Sequence, residues 1–94
     1  MDLEDFRASL SVATPPPGAS PLLRALWLDG RGDFDGAHAI AQDVHDADGA
    51  LVHAYLHRKE GDLSNAGYWY RRARQQPFEG SLDDEWEALV QRFL

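Results

Sequence analysis

"GDFDGAHAIAQDV" (32–44) and "GDLSNAGYWYRRA" (61–73) align without a gap. Both open on Gly-Asp, place a large apolar residue third (Phe34, Leu63) and a small one sixth (Ala37, Ala66), and Gly61 follows Gly32 at an offset of 29 residues. A helix-like stretch precedes each block: "PLLRALWLDGR" (21–31) and "DGALVHAYLHRKE" (48–60). The repeating unit therefore reads as helix, Gly-Asp corner, helix, the pattern of stacked helical hairpins. The small sixth residue predicts a close helix crossing at Ala37 and Ala66.

The flanking sequence continues the helical pattern. Leu3, Phe6 and Leu10 fall at helical spacing in 2–12, with Asp2, Glu4 and Asp5 at the positive end, and "TPPPG" (14–18) stops that stretch. Ser20 before Pro21 reads as an N-cap with proline at the first helical position, and Gly30 closes the helix. A helix from about Asp33 to Val44 carries Phe34, Ala37, Ile40, Ala41 and Val44 on one face. "DADG" (46–49) reads as a turn leading into a helix from about Ala50 to Lys59. Asp62 or Ser64 caps the next helix, which runs to about Arg74, and Pro77 and Gly80 break the chain again. Ser81 and Asp84 form a capping-box-like pair ahead of Trp86, Leu89, Val90 and Phe93. No alternating strand pattern of useful length occurs. The expectation is an all-α single domain over 1–94 with five or six short helices. It divides into an N-terminal helix (1–13), a proline-rich linker (14–19), two helical hairpins (20–78) and a C-terminal helix (81–94).

"EGDLSNAGYWYRRARQQPF" (60–78) resembles the second half of a tetratricopeptide repeat or of the related Sel-one-like repeat. Gly61-Asp62, Ala66, Tyr70, Ala73 and Pro77 carry the likeness, and His53 and His57 stand where such repeats place bulky apolar residues. The resemblance implies two tetratricopeptide-like hairpins with capping helices at either end, and a protein-interaction role. The whole chain also resembles a group of small bacterial proteins that share "HAYLHRKEGD" (53–62) and "YWYRRA" (68–73), a likeness that implies no particular activity.

Composition narrows the functions. Ninety-four residues with 44 % apolar content make one small core, near the lower limit of self-sufficiency. A net charge of −7 repels phosphate backbones and anionic headgroups, so neither nucleic acid nor a membrane surface is expected as partner. The three arginines Arg71, Arg72 and Arg74 are the one basic cluster, too short to extend as a stripe. There is no run of eighteen apolar residues and no basic leader ahead of an apolar stretch, which makes the cytoplasm the default location. The absence of cysteine excludes a disulfide framework, thiolate zinc ligation and thiol catalysis.

Short motifs mostly dissolve. "HDADG" puts Asp46, Asp48 and Gly49 at positions three, five and six of a calcium loop, but positions one and twelve are then Val44 and Tyr55. "RGD" (31–33) has a structural reading in the Gly-Asp corner. The histidines are the serious chemical candidates. His53 and His57 are four apart on one helix, and His38 and His45 are seven apart on the preceding one, with Glu60 and Asp62 close by. His38, His53, His57 and Glu60 are thus the candidate ligand-binding residues. Packing of half-buried rings is the preferred reading, so no cofactor, no metal and no catalytic residue is expected, and the enzyme question leans to no.

Tyr68, Trp69 and Tyr70 point in different directions from one helix, so some aromatic surface must meet a partner or another helix. The candidate interface is Trp27, Trp69, Arg71, Arg72 and Trp86. The expected function is a small tetratricopeptide-like interaction module that binds a protein partner or itself as a homodimer, with Trp69 or Trp86 near the seam. The competing arrangement is a monomer whose N-terminal helix folds over the exposed face. The alternative function is a small ligand-binding protein or enzyme built on His38, His53 and His57.

Overall fold

The computed structural model describes residues 1–94 as six α-helices with no strand. These are α1 (Leu3–Ser9), α2 (Pro21–Gly30), α3 (Phe34–Gln42), α4 (Ala47–Lys59), α5 (Leu63–Arg72) and α6 (Leu82–Phe93). Helix α2 packs on α3 and α4 on α5, while α3 lies against α4 and joins the two pairs.

The repeat is realised atom for atom at the corners. Gly32 and Gly61 share φ of +86°, a left-handed conformation that costs glycine nothing. Asp33 and Asp62 follow with ψ of 77° each. The Asp33 N–H returns to the Leu28 carbonyl and the Asp62 N–H to the His57 carbonyl, closing both preceding helices in the same way. Each aspartate then caps the next helix, accepting from Gly36 N and Asn65 N respectively. Ala37 and Ala66 are buried, as the sixth-position pattern requires.

Two boundaries differ from the sequence expectation by three residues, the ends of α3 and α5 by two. Helix α4 begins at Ala47, not at about Ala50, because Asp46 is its N-cap and accepts from Gly49 N at 2.8 Å. "DADG" is thus the first turn of a helix. A Cβ at Gly49 would lie 1.9 Å from the Val44 carbonyl oxygen, so this glycine is required by close approach of the α3–α4 connection. Helix α1 ends at Ser9, and residues beyond it form turns instead of continuing to 12.

The main core draws on α1, α2, α3, α4 and α6, with Phe6, Leu26, Val52, Leu56 and Val90 fully enclosed. A smaller cluster of Ala54, Ala66 and Tyr70 lies between α4 and α5. Trp27 and Trp86, expected on an interaction surface, belong to the core at 3 % and 5 % exposure. Helix α1 is the reason. Phe6 packs against the Trp86 ring at 5.8 Å, and the Trp27 indole N–H donates to the Ser9 carbonyl at 3.1 Å. Arg31 then donates to the carbonyls of Leu10 and Val12. The N-terminal segment is therefore docked over the face of α2 and α6 that would otherwise be bare, which removes Trp86 from any seam with a second copy.

Candidate functional site

Three imidazoles meet where α3 crosses α4. Helix α3 is short and rich in alanine, so its face approaches α4 closely enough for His38 to reach His53, and their Nε2 atoms lie 3.0 Å apart. His57 sits one turn further along α4, its ring stacked on that of His53 with centroids 4.8 Å apart, and edge-on to His38 at 5.7 Å. One ligating atom from each ring lies within 4.8 Å of the others. Glu60, at the C-cap of α4, accepts from His57 Nδ1 at 2.7 Å. The carboxylates of Glu60 and Asp62 and the His57 ring form a second convergent set.

The cluster is walled by aromatic faces. Trp69, from α5, stacks on His53 at 4.1 Å, and Phe34 stacks on His38 at 6.1 Å. His53 is 7 % exposed and borders a cleft of about 180 Å³, which Trp69, Arg72, His45 and Asp46 also line. His45 lies beyond the end of α3, exposed to solvent, and does not join the other imidazoles. The sequence expectation of His38, His53, His57 and Glu60 as one constellation thus corresponds to a spatial group. The part of Trp69 in it was not legible, because stacking on His53 depends on how α5 lies against α4.

Burial holds the His53 ring neutral, lowering its pKa from 6.5 to about 4, with the neighbouring His38 and His57 adding to the effect and Glu60 opposing it. The unfolded chain takes up a proton near 6.5 that the folded chain refuses until about 4, so this contribution is complete above 6.5 and is lost as pH falls from about 6.5 to about 4. We expect His53→Gln to flatten the fall of the urea midpoint across that window, measured with a chelator present. Parallel pH profiles for the two proteins would mean that the ring is not desolvated.

Two buried carboxylates went unseen in the sequence. Asp29 accepts from the Tyr55 hydroxyl at 2.6 Å and from Lys59 Nζ at 2.8 Å. Glu85 accepts from Arg58 at 2.9 Å and from the Tyr70 hydroxyl. Burial and the adjoining carboxylates raise both tyrosine pKa values. Asp29 and Arg58 occupy the same place in the repeat, three residues before Gly32 and Gly61. Each links its hairpin to a later helix, a structural role with every polar atom paired.

The outer face of α5 is different in character. Tyr68 is 43 % exposed and Leu63 is 68 % exposed. Arg72 lies over the rings of Trp69 and Tyr68 at 5.4 and 5.8 Å and donates to the Tyr68 hydroxyl. None of the five ion pairs in the molecule involves Arg71, Arg72 or Arg74. No protein-family model, curated protein or solved structure matches this chain.

Proposed function

We propose that the protein is a small tetratricopeptide-like interaction module whose α5 face binds an acidic segment of another protein. The observation that carries this reading is Arg72 lying over Tyr68 and Trp69, with Arg71 and Arg74 close in sequence and none of the three in an ion pair, on a chain of net charge −7. Arginine and aromatic side chains together supply charge, planar hydrogen bonding and apolar area, the ingredients of interface hot spots. The backbone adds support. Arg74 holds φ of +58° and closes α5 with the hydrogen bonds seen at the two Gly-Asp corners, with Arg74 N–H returning to Arg71 and Gln75 N–H to Tyr70. Glycine would occupy that conformation at about 1–2 kcal/mol less strain. A cation is kept there instead. The equivalence of the two corners supports the repeat architecture, and the cytoplasm is the location this reading assumes.

The test is a titration of the ¹⁵N-labelled chain with a Glu-rich decapeptide and, separately, with its Lys-rich counterpart at low ionic strength. The expected result is amide shift changes over residues 67–74 with the acidic peptide alone, diminished by salt. Arg71→Glu with Arg72→Glu should weaken binding about tenfold or more, since like charges now face each other. Shifts elsewhere, or equal response to both peptides, would overturn the assignment. Sedimentation velocity separates the other occupant: concentration-dependent dimerisation abolished by the same double substitution would make the partner a second copy.

A further inference from the structure

We propose that His38, His53 and His57 form a three-imidazole site for one zinc-class divalent cation, with the Glu60 carboxylate as the group that orients His57. This goes beyond the interaction reading and does not rest on it.

Geometry carries the inference. Two nitrogens bound tetrahedrally to one ion at about 2.0–2.1 Å lie about 3.3 Å from each other. The Nε2 atoms of His38 and His53, 3.0 Å apart on two different helices, are already close to that separation. The third imidazole is at hand, with one ring nitrogen of His57 within 4.8 Å of ligating nitrogens of the other two. The His57 Nδ1–H donates to Glu60, which leaves Nε2 as the free lone pair, the arrangement in which a carboxylate fixes the tautomer and ring angle of a metal-binding histidine.

The chemistry of the surroundings agrees. Three neutral nitrogens without a thiolate suit zinc, copper, nickel or cobalt and not calcium or magnesium. Carboxylates of Glu60 and Asp62 beside His57 favour a dication over an anion in the same place. Trp69 and Phe34, stacked on His53 and His38, restrict ring motion and exclude water from two sides. The fourth tetrahedral position is left for water or a small ligand. The alternative account is a single His38–His53 hydrogen bond, in which one ring donates and the other accepts. That account leaves the His57–Glu60 pair as a separate local i,i+3 contact at the end of α4.

The experiment uses the full chain, freed of any affinity tag and stripped with chelator, titrated with zinc by calorimetry and with cobalt(II) by visible absorption. The expected result is one ion per chain and a ligand-field spectrum of low coordination number. His38→Gln and His57→Gln should each weaken zinc binding by about a hundredfold or more, and Glu60→Gln by about tenfold to a hundredfold. His45→Gln should bind as the parent does. Both His38 and His57 are only partly buried, so circular dichroism and a thermal melt of those variants show whether the fold is kept. Absence of saturable zinc binding, or equal affinity in His38→Gln and the parent, overturns the site. Binding lost in His57→Gln but kept in His38→Gln also overturns it, since the ion would then sit on His57, Glu60 and Asp62 alone.

Discussion

Arg58→Met is expected to destabilise the protein by about 3 kcal/mol, the low end of the range for stripping one partner from a buried ion pair. Glu85 is almost wholly buried, its side chain 2 % exposed, and the Arg58 guanidinium is its one cation. Arg58 also donates to the Gly80 carbonyl and lies over the Phe78 ring, so it ties α4 both to α6 and to the connection ahead of it. The low end applies because Arg58 keeps 21 % of its side chain in water, which lets solvent share in its charge. With methionine in its place the stem still packs, but Glu85 keeps only the Tyr70 hydroxyl. The measurement is a urea midpoint at pH 7 for Arg58→Met, Glu85→Gln and the double variant. Recovery of more than half the loss in the double variant is the expected outcome, because the cost resides in the orphaned charge and not in the lost pair. A loss below about 1 kcal/mol in Arg58→Met would place the pair among exposed ones and contradict the burial of Glu85.

Phe6→Ala is expected to cost about 3–5 kcal/mol, the range for removing a fully buried phenyl ring. That is a large part of the 5–15 kcal/mol by which domains of this kind are stable. Phe6 has no exposed surface and rests on Trp86, while Arg7 also lies over the Trp86 ring at 5.1 Å and pairs with Glu87. Without the phenyl group the seven-residue helix α1 has little to hold it, and Trp27 and Trp86 become accessible to solvent. The expected readout is a lowered urea midpoint together with red-shifted tryptophan emission. Concentration-dependent association would accompany it if the uncovered face finds a second copy. A change below about 1 kcal/mol would mean that α1 contributes no more than a frayed terminus. The dimer expected from the number of large aromatics has this competing explanation in the structure, since α1 encloses two of the three tryptophans.

Local signals carried most of the architecture. The Gly-Asp corners, the Ser20 and Ser81 caps and the period of apolar residues each act within one or two helical turns, and here they agree with the packing around them. The start of α4 escaped because "DADG" favours a turn and an N-cap equally. The Asp46 carboxylate, accepting from Gly49 N, is what makes it the cap. The histidine constellation was half legible: His53 and His57 share a face by spacing alone, whereas His38 reaches them through the angle at which α3 crosses α4.

What the amino-acid sequence determined by itself is therefore the all-helical class, the repeated hairpin and the pairing of His53 with His57. These depend on backbone geometry and on spacings of three or four residues. What only the tertiary structure decided is which side chains face one another across elements. Trp27 and Trp86 are core because α1 folds back on them, Trp69 closes over His53, and Asp29 and Glu85 are enclosed with partners 26 and 27 residues away in Tyr55 and Arg58. Such contacts arise from the summed burial of many apolar groups, and no local pattern encodes the position at which that sum is lowest.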